Sequence, residues 1–261
     1  MVTASGGLER VGRDRPAALV TGGARRVGAA TCRALARAGL DVVLTFRSSR
    51  DDARALVAEL TAGGVSAAAV RADFAEPGAA DELVERVTAS VPRLDVLVLS
   101  AAVYEPSPID AWDEPAALRQ HRINALAPAT LAVGLARTLA GSDLPGGGAV
   151  VALCDIHAMG RPRPGYLAYS MSKAALAELV PSLARELAPG VRVNGVAPGA
   201  VAFAESGPDS DPEMRARYLR RVPLGRVGAP EDAAEAVRWL ALDARYTTGQ
   251  IVRVDGGRWV T

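Results

Sequence analysis

Ala17-Ala-Leu-Val-Thr-Gly-Gly-Ala-Arg-Arg-Val-Gly28 is a short apolar run that ends in a glycine-punctuated turn and leads straight into a helical pattern. Such a run, bounded by glycine, reads as a buried strand. The glycines let the backbone turn sharply and approach a pyrophosphate, which the N-terminus of the following helix stabilises. A glycine-rich turn alone is a weak signal, and its place at the first strand–helix junction gives it weight. Working outward, DVVLTF (41–46), VSAAAV (65–70), LDVLVLS (94–100), GAVVALC (148–154), VRVNGVA (191–197) and QIVRVD (250–255) are further apolar runs. Helical patterns fill the intervals, over about 28–38, 51–60, 79–90, 115–139, through Tyr169 to about 187, and over 230–242. Parallel neighbours need crossovers of this kind, so the chain predicts an α/β fold: a single-domain Rossmann-like doubly wound parallel sheet flanked by helices on both faces. No repeat or linker divides residues 16–261, and the aperiodic residues 1–15 read as a flexible lead-in.

Composition narrows the partners. Apolar residues make up 49% of the chain and aromatics only 4%, so the core must be built from Ala, Val and Leu. A formal net charge of +1 gives no reason to expect nucleic acid or an anionic membrane as partner, and a small-molecule ligand is expected instead. Cys32 and Cys154 are too few for a disulfide framework or a zinc site and read as small buried hydrophobes, so no metal is expected. No apolar run approaches membrane-spanning length and the N-terminus lacks an apolar signal core, which predicts a cytoplasmic setting.

The second junction, Thr45-Phe46-Arg47-Ser48-Ser49-Arg50, speaks to cofactor choice. A site for NAD carries an acidic residue there, accepting from the ribose hydroxyls. Here Arg47, with Arg50 beside it, offers a cation, and Ser48 and Ser49 offer hydroxyls, which suits a 2′-phosphate and predicts NADPH. Farther on, the only lysine of the chain, Lys173, follows Tyr169 by four residues; the other 29 of the 30 basic residues are arginine. On a helix these two side chains share a face. A compact ammonium there would draw a phenol, ordinarily titrating near 10, down toward the working range of an acid.

From about Ala17 to Trp259 the chain resembles the short-chain dehydrogenase/reductase family. The resemblance rests on TGGARRVG (21–28), Asp73, Asn124, Tyr169-x-x-x-Lys173, RVNGVAPG (192–199) and TTGQIVRVDGG (247–257). It implies that the cofactor is held by Gly22, Arg25, Arg26, Val27 and Gly28 at the first turn, and by Phe46, Arg47 and Ser48 at the second. Asp73, Phe74, Ser100, Ala101, Tyr169, Lys173, Pro198, Gly199 and Val201 complete the implied set. It also implies hydride transfer to a C=N or C=O carbon with Tyr169 as proton donor. Lys173 would lower the pKa of Tyr169 and hydrogen-bond the ribose, and Asn124 would hold a water linking Lys173 to solvent. A homotetramer packed through the long fourth and fifth helices is expected on the same ground.

Within the family, several residues resemble the pteridine reductase branch. Arg26 replaces the usual middle glycine of the first turn, lying in that branch between cofactor phosphate and substrate. Asp155, in CDIHA (154–158), stands where most members have a catalytic serine, and VYEPSP (103–108) resembles the segment that puts an aromatic ring, here Tyr104, over the pterin. The chain also departs from the pattern. Leu99-Ser100 replaces an Asn-Asn pair, Ala102 replaces a serine, and Asp155 to Tyr169 is one residue longer than usual, with Gly160, Pro162, Pro164 and Gly165 available to absorb the insertion. His157 reads as an exposed loop histidine. The polar stretch from Phe203 to Tyr218 reads as a lid, with Glu205 a candidate substrate contact. The expected function is NADPH-dependent reduction of a pterin or dihydrofolate-like heterocycle at Arg26, Tyr104, Asp155 and Tyr169. The alternatives are a ketone or quinone reductase of the same family and a non-catalytic NADP-sensing protein.

Overall fold

The computed structural model describes residues 8–201 and 211–261. Among them, β1 (Ala17–Val20), β2 (Asp41–Phe46), β3 (Ala67–Arg71), β4 (Val96–Leu99), β5 (Gly148–Leu153), β6 (Val191–Pro198) and β7 (Ile251–Val254) form one parallel sheet in the order β3-β2-β1-β4-β5-β6-β7. The helices are α1 (Arg26–Arg37), α2 (Arg50–Ala62), α3 (Ala79–Ser90), α4 (Glu114–His121), α5 (Ala127–Gly134), α6 (Ala136–Ala140), α7 (Leu167–Glu186), α8 (Pro212–Leu219) and α9 (Pro230–Leu242).

β1, β4 and β5 are buried along their whole length, which is why they are continuous runs of small and branched apolar residues without polar alternation. On one face Leu83, Val87, Leu131, Leu176 and Val180 of α3, α5 and α7 pack onto Leu97, Val150 and Val193. On the other, Leu35, Leu56, Val237 and Leu240 of α1, α2 and α9 pack onto Val20, Val42 and Val98. Ala30 and Ala34 of α1 meet Ala234 of α9, and side chains this small let the two helices approach closely. The strand order reverses between β1 and β4, and the crevice at their carboxyl ends is where a doubly wound sheet accepts its ligand.

Two local expectations change. The helix expected over 115–139 is broken: a π-helical turn, Arg122–Leu126, separates α4 from α5, and a further break precedes α6. Pro128 supplies the reason, because it cannot donate to the carbonyl one turn back and the wider register absorbs the loss. The lead-in expected over 1–15 is partly built into the fold. Leu8–Arg10 forms a short helical turn, Leu8 and Val11 are buried in the main core, and Gly12 N donates to Asp41 Oδ2 at 3.0 Å. Leu8 and Val11 thereby join the core, with the turn lying beside α3 and β3.

At the far end of α9 a buried arginine does the work of a cap. Arg192 on β6 donates to the carbonyls of Leu240 (2.6 Å), Ala241 (2.7 Å) and Ala244 (3.1 Å), and to Gly146 O (2.9 Å). The last carbonyls of a helix have no partner within it, and a cation there also meets the negative end of the helix dipole. Arg192→Met is expected to lower unfolding stability by about 3 kcal/mol, since it strands several buried acceptors at once. A chemical-denaturation midpoint equal to wild type would show that α9 is held by packing alone.

Candidate active site

The turn after β1 is as tight as its glycines require. Gly22 has φ of +62°, and a Cβ on Gly28 would lie 2.2 Å from the carbonyl oxygen of Gly22. A Cβ on Gly22 would lie 2.9 Å from Ala101 Cα, so the first turn and the segment after β4 touch backbone to backbone. Arg26, which opens α1, has φ of +50°, the left-handed region that a non-glycine residue occupies at a cost of about 1–2 kcal/mol. α1 begins without an acidic residue in its first turn and without a side-chain cap, leaving its first N–H groups to an anion.

This turn forms one wall of a cavity of about 480 Å³ at the β1/β4 crevice. The lining includes Gly22, Arg25, Arg26, Val27 and Gly28, then Phe46, Arg47 and Ser48, and then Asp73, Phe74, Ser100, Ala101 and Tyr169. These thirteen predicted residues converge from five separate stretches of chain. Arg47 and Ser48 are exposed on its rim, while Arg50 lies outside the lining. Arg25 is tied to Asp52 at 3.6 Å, and Asp73 Oδ1 accepts from Ala75 N at 3.1 Å. Pro198, Gly199 and Val201 do not reach this cavity. Their turn is fastened elsewhere: Gly199 N donates to Val254 O at 2.9 Å, and Ala200 N donates to the Tyr218 hydroxyl oxygen at 2.9 Å.

Where the cavity reaches α7, Tyr169 and Asp155 meet. The Tyr169 hydroxyl donates to Asp155 Oδ2 at 2.6 Å, and Asp155 Oδ1 accepts from His157 N at 2.7 Å. Asp155 therefore both caps the turn after β5 and holds the phenol. The extra residue between the two is absorbed in the loop before α7, where Gly160 (φ +102°) and Gly165 (φ +77°) supply backbone conformations closed to most residues. His157 is partly buried, its Nδ1 3.0 Å from Arg161 O, instead of standing exposed.

Lys173 is buried and donates to Leu153 O at 2.6 Å, the residue before Cys154-Asp155. This corrects the expected electrostatics of Tyr169. Burial pushes the phenol well above its ordinary value, and the neighbouring Asp155 carboxylate, both as charge and as acceptor, pushes it further the same way. Lys173 is itself shifted downward by burial, only partly offset by the fields of Cys154 and Asp155. Burial likewise raises the Cys154 thiol to about 11, so it stays protonated and inert.

Asn124 sits in the π-helical turn with its amide engaged. Nδ2 donates to Val103 O and to Ser172 Oγ, both at 2.9 Å, and Oδ1 accepts from Val103 N at 2.9 Å. Both amide hydrogens are used, so the side chain clamps the segment after β4 against α7 and does not contact Lys173. Ser172 Oγ in turn donates to Tyr169 O at 2.7 Å. Tyr104 does not stand apart over the cavity: its ring stacks on Tyr166 at 4.4 Å and meets Tyr169 edge-on at 4.6 Å. Phe203 and Glu205 lie outside the described residues; Tyr218 lies on α8.

Three residues of the site escape a reading by motif. Thr21 Oγ1 accepts from Ser100 N (2.9 Å) and Ala101 N (3.0 Å), and Thr45 Oγ1 accepts from Gly22 N (3.0 Å), so two hydroxyls fix the cavity's backbone walls. Tyr166 supplies the aromatic partner of Tyr104. Its neighbourhood is pinned by Ser107, whose N donates to Gly165 O (2.7 Å) and whose Oγ accepts from Ala168 N (2.9 Å). Only the β-branched hydroxyls beside glycine in Thr21-Gly22 hint at this in the sequence.

Comparison with known proteins agrees with the geometry. The family model described as enoyl-(acyl carrier protein) reductase matches residues 22–258. A 3beta-hydroxysteroid dehydrogenase 1 of Eggerthella lenta is 35% identical over 92% of this chain and 92% of its own length. A 3-oxoacyl-[acyl-carrier-protein] reductase of Synechocystis is 34% identical over 92% and 95%. The crystal structure of FolM alternative dihydrofolate reductase 1 from Brucella canis complexed with NADP superposes with a TM-score of 0.84, with 29% identity over 97% of this chain and 96% of that one. With the glycine turn, the cavity at the strand-order reversal and the Tyr169/Lys173 helix in place, the chain belongs to the short-chain dehydrogenase/reductase family and is a nicotinamide-dependent oxidoreductase.

Proposed function

We propose that the chain reduces a pterin or dihydrofolate-like heterocycle with NADPH, and the observation that carries this reading is the 2.6 Å bond from the Tyr169 hydroxyl to Asp155 Oδ2. Bound NADPH supplies the hydride. The residues fit such a group: the Gly22/Gly28 turn leaves no room for a Cβ where backbone must approach a diphosphate, and the N-terminus of α1 offers unpaired N–H groups. Arg25 and Arg26 line the cavity at this turn and would supply cations to a diphosphate held there. Arg47 and Ser48 on the rim suit a 2′-phosphate, as does the lack of an acidic residue at 46–49.

The raised pKa keeps Tyr169 protonated across the neutral range, as a proton donor must be. Its hydrogen is engaged by Asp155, so donation toward a substrate requires the carboxylate to accept another hydrogen instead. An N–H or amino donor carried by the heterocycle provides that replacement, which a simple ketone lacks. Asp155 thereby favours a heterocycle with N–H donors of its own, held between Tyr169 as donor and the carboxylate as acceptor. Lys173 fixes the backbone at Leu153, and Asn124 holds Val103 and, through Ser172, the start of α7; both act as positioning residues for the pair. Arg26, held in its left-handed conformation, lines the cavity, and Tyr104 meets the reacting pair through its edge contact with Tyr169.

The second reading is a carbonyl reductase, favoured by relatives named as a 3-oxoacyl reductase and a hydroxysteroid dehydrogenase and by Ala102, which offers no hydroxyl to a heterocycle. Incubation with NADPH and dihydrobiopterin, dihydrofolate, or a panel of ketones and quinones, followed at the reduced-nicotinamide band, separates the two. Turnover of ketones or quinones alone would sink the pterin reading. For the cofactor, Arg47→Ala is expected to raise the KM for NADPH by about tenfold or more, the loss of one charge-assisted contact, with little change in the KM for NADH. Equal effects on both cofactors would remove Arg47 from phosphate recognition. A homotetramer remains our expectation, supported by the apolar side chains of Leu118, Leu126, Val133 and Met171 exposed along α4, the π-helical turn, α5 and α7.

A further inference from the structure

Close to Tyr169 lies a second cavity of about 900 Å³ whose chemistry the hydride-transfer machinery does not use. Arg161, Arg217, Arg221 and Arg258 line it, together with His157, Tyr166 and Tyr218. No carboxylate pairs with any of these four arginines among the described residues. Arg258 is the telling member. It is only 9% exposed, and its Nε, fully removed from solvent, has no hydrogen-bond partner. Its Nη1 reaches no more than the Thr261 hydroxyl at 3.5 Å, and its guanidinium lies 5.5 Å over the Tyr218 ring. The nearby carboxylate of Asp255 is already committed, accepting from Gly257 N at 3.0 Å and Trp259 N at 2.7 Å. Burial and the fields of Arg161 and Arg221 all act against the charge on Arg258. A buried guanidinium with an unfilled donor and cationic neighbours is costly unless an anion completes it.

The cavity adjoins the reacting pair through two of its lining residues. Tyr166 lines it and stacks on Tyr104, whose ring edges Tyr169. His157 lines it and is bound through its backbone N to Asp155. The volume is that of a small-molecule site, with the guanidinium of Arg258 buried in its wall.

We propose that this basin is an anion subsite, which receives a carboxylate- or phosphate-bearing tail of the same molecule whose other end is reduced at Tyr169. Carboxylate and phosphate share the planar oxygen pair that an arginine fork recognises. This rests on the proposed reading of Tyr169 and Asp155 for what the tail is attached to, and on the arginines alone for the tail itself.

The test has two arms. In the first, NADPH-saturated protein is titrated calorimetrically with inorganic phosphate, the bound dinucleotide keeping the probe off the first cavity. Saturable binding is expected, weakened about tenfold in Arg258→Gln and in the Arg217→Gln/Arg221→Gln pair, the second made of exposed residues whose loss should not disturb folding. In the second, the ratio of kcat/KM for dihydrofolate, which carries an anionic glutamyl tail, to that for dihydrobiopterin, which carries none, is expected to fall about tenfold in the pair. Phosphate binding that is absent, or equal in wild type and variants, overturns the proposal, as does an unchanged ratio when both substrates are turned over. If neither is reduced, the pterin reading fails while variant-sensitive phosphate binding still upholds the subsite. A loss confined to binding of an acidic carrier protein, with phosphate unaffected, overturns it by reassigning the basin to protein docking.

Discussion

Tyr169→Phe is expected to cut NADPH-dependent reduction of every accepted substrate by roughly a thousandfold, within the range a general acid contributes, while NADPH affinity stays close to wild type. The substitution removes one oxygen from a ring whose edge contact with Tyr104 is apolar and survives. It also leaves Asp155 Oδ2 without its donor, which should cost about 1–3 kcal/mol of stability, so melting temperature must be read beside rate. Retained turnover in a folded variant would place the proton donor elsewhere.

The framework of this site was legible in the sequence because each element carries its own local signal. The glycines of 21–28, the apolar strand runs and the i, i+4 spacing of Tyr169 and Lys173 locate the first turn, the sheet and α7 without any long-range knowledge. What was not legible depends on contacts between distant residues. Thr21 holds Ser100 and Ala101 because β1 and β4 are neighbours, a pairing that links positions nearly eighty residues apart. The Asn124 amide is spent on Val103 and Ser172 because the π-helical turn, set by Pro128, aims it there. The downward pull of Lys173 on Tyr169 was a sound inference from spacing alone. It fails because burial raises the phenol and Asp155 raises it further, while Lys173 is drawn away to Leu153 O.

That reversal makes the second large prediction, and its sign can be worked through. The working form of Tyr169 is the neutral phenol, so a raised pKa moves the alkaline fall in rate to higher pH. Asp155 contributes to the raise through its charge and its accepted hydrogen bond. Asp155→Asn keeps the size of the side chain and removes the charge, so the alkaline limb of kcat is expected to move to lower pH. The same variant loses the ability to accept a substrate N–H as an anion, and pterin turnover at neutral pH should fall about a hundredfold, the scale of a lost catalytic charge–hydrogen-bond contact. A limb that stays in place would mean that the charge of Asp155 does not act on the Tyr169 phenol.

The most direct measurement takes the ratio of kcat/KM for dihydrobiopterin to that for a small ketone, both with NADPH, in wild type and in Asp155→Ser. Serine can hydrogen-bond a carbonyl but cannot accept an N–H as a carboxylate does. If Asp155 selects the heterocycle, the ratio falls by about thirtyfold or more, roughly the 2 kcal/mol of a charged hydrogen bond, with ketone reduction spared or improved. A ratio that is the same in both proteins would contradict that selection and leave Asp155 as the cap of the turn after β5.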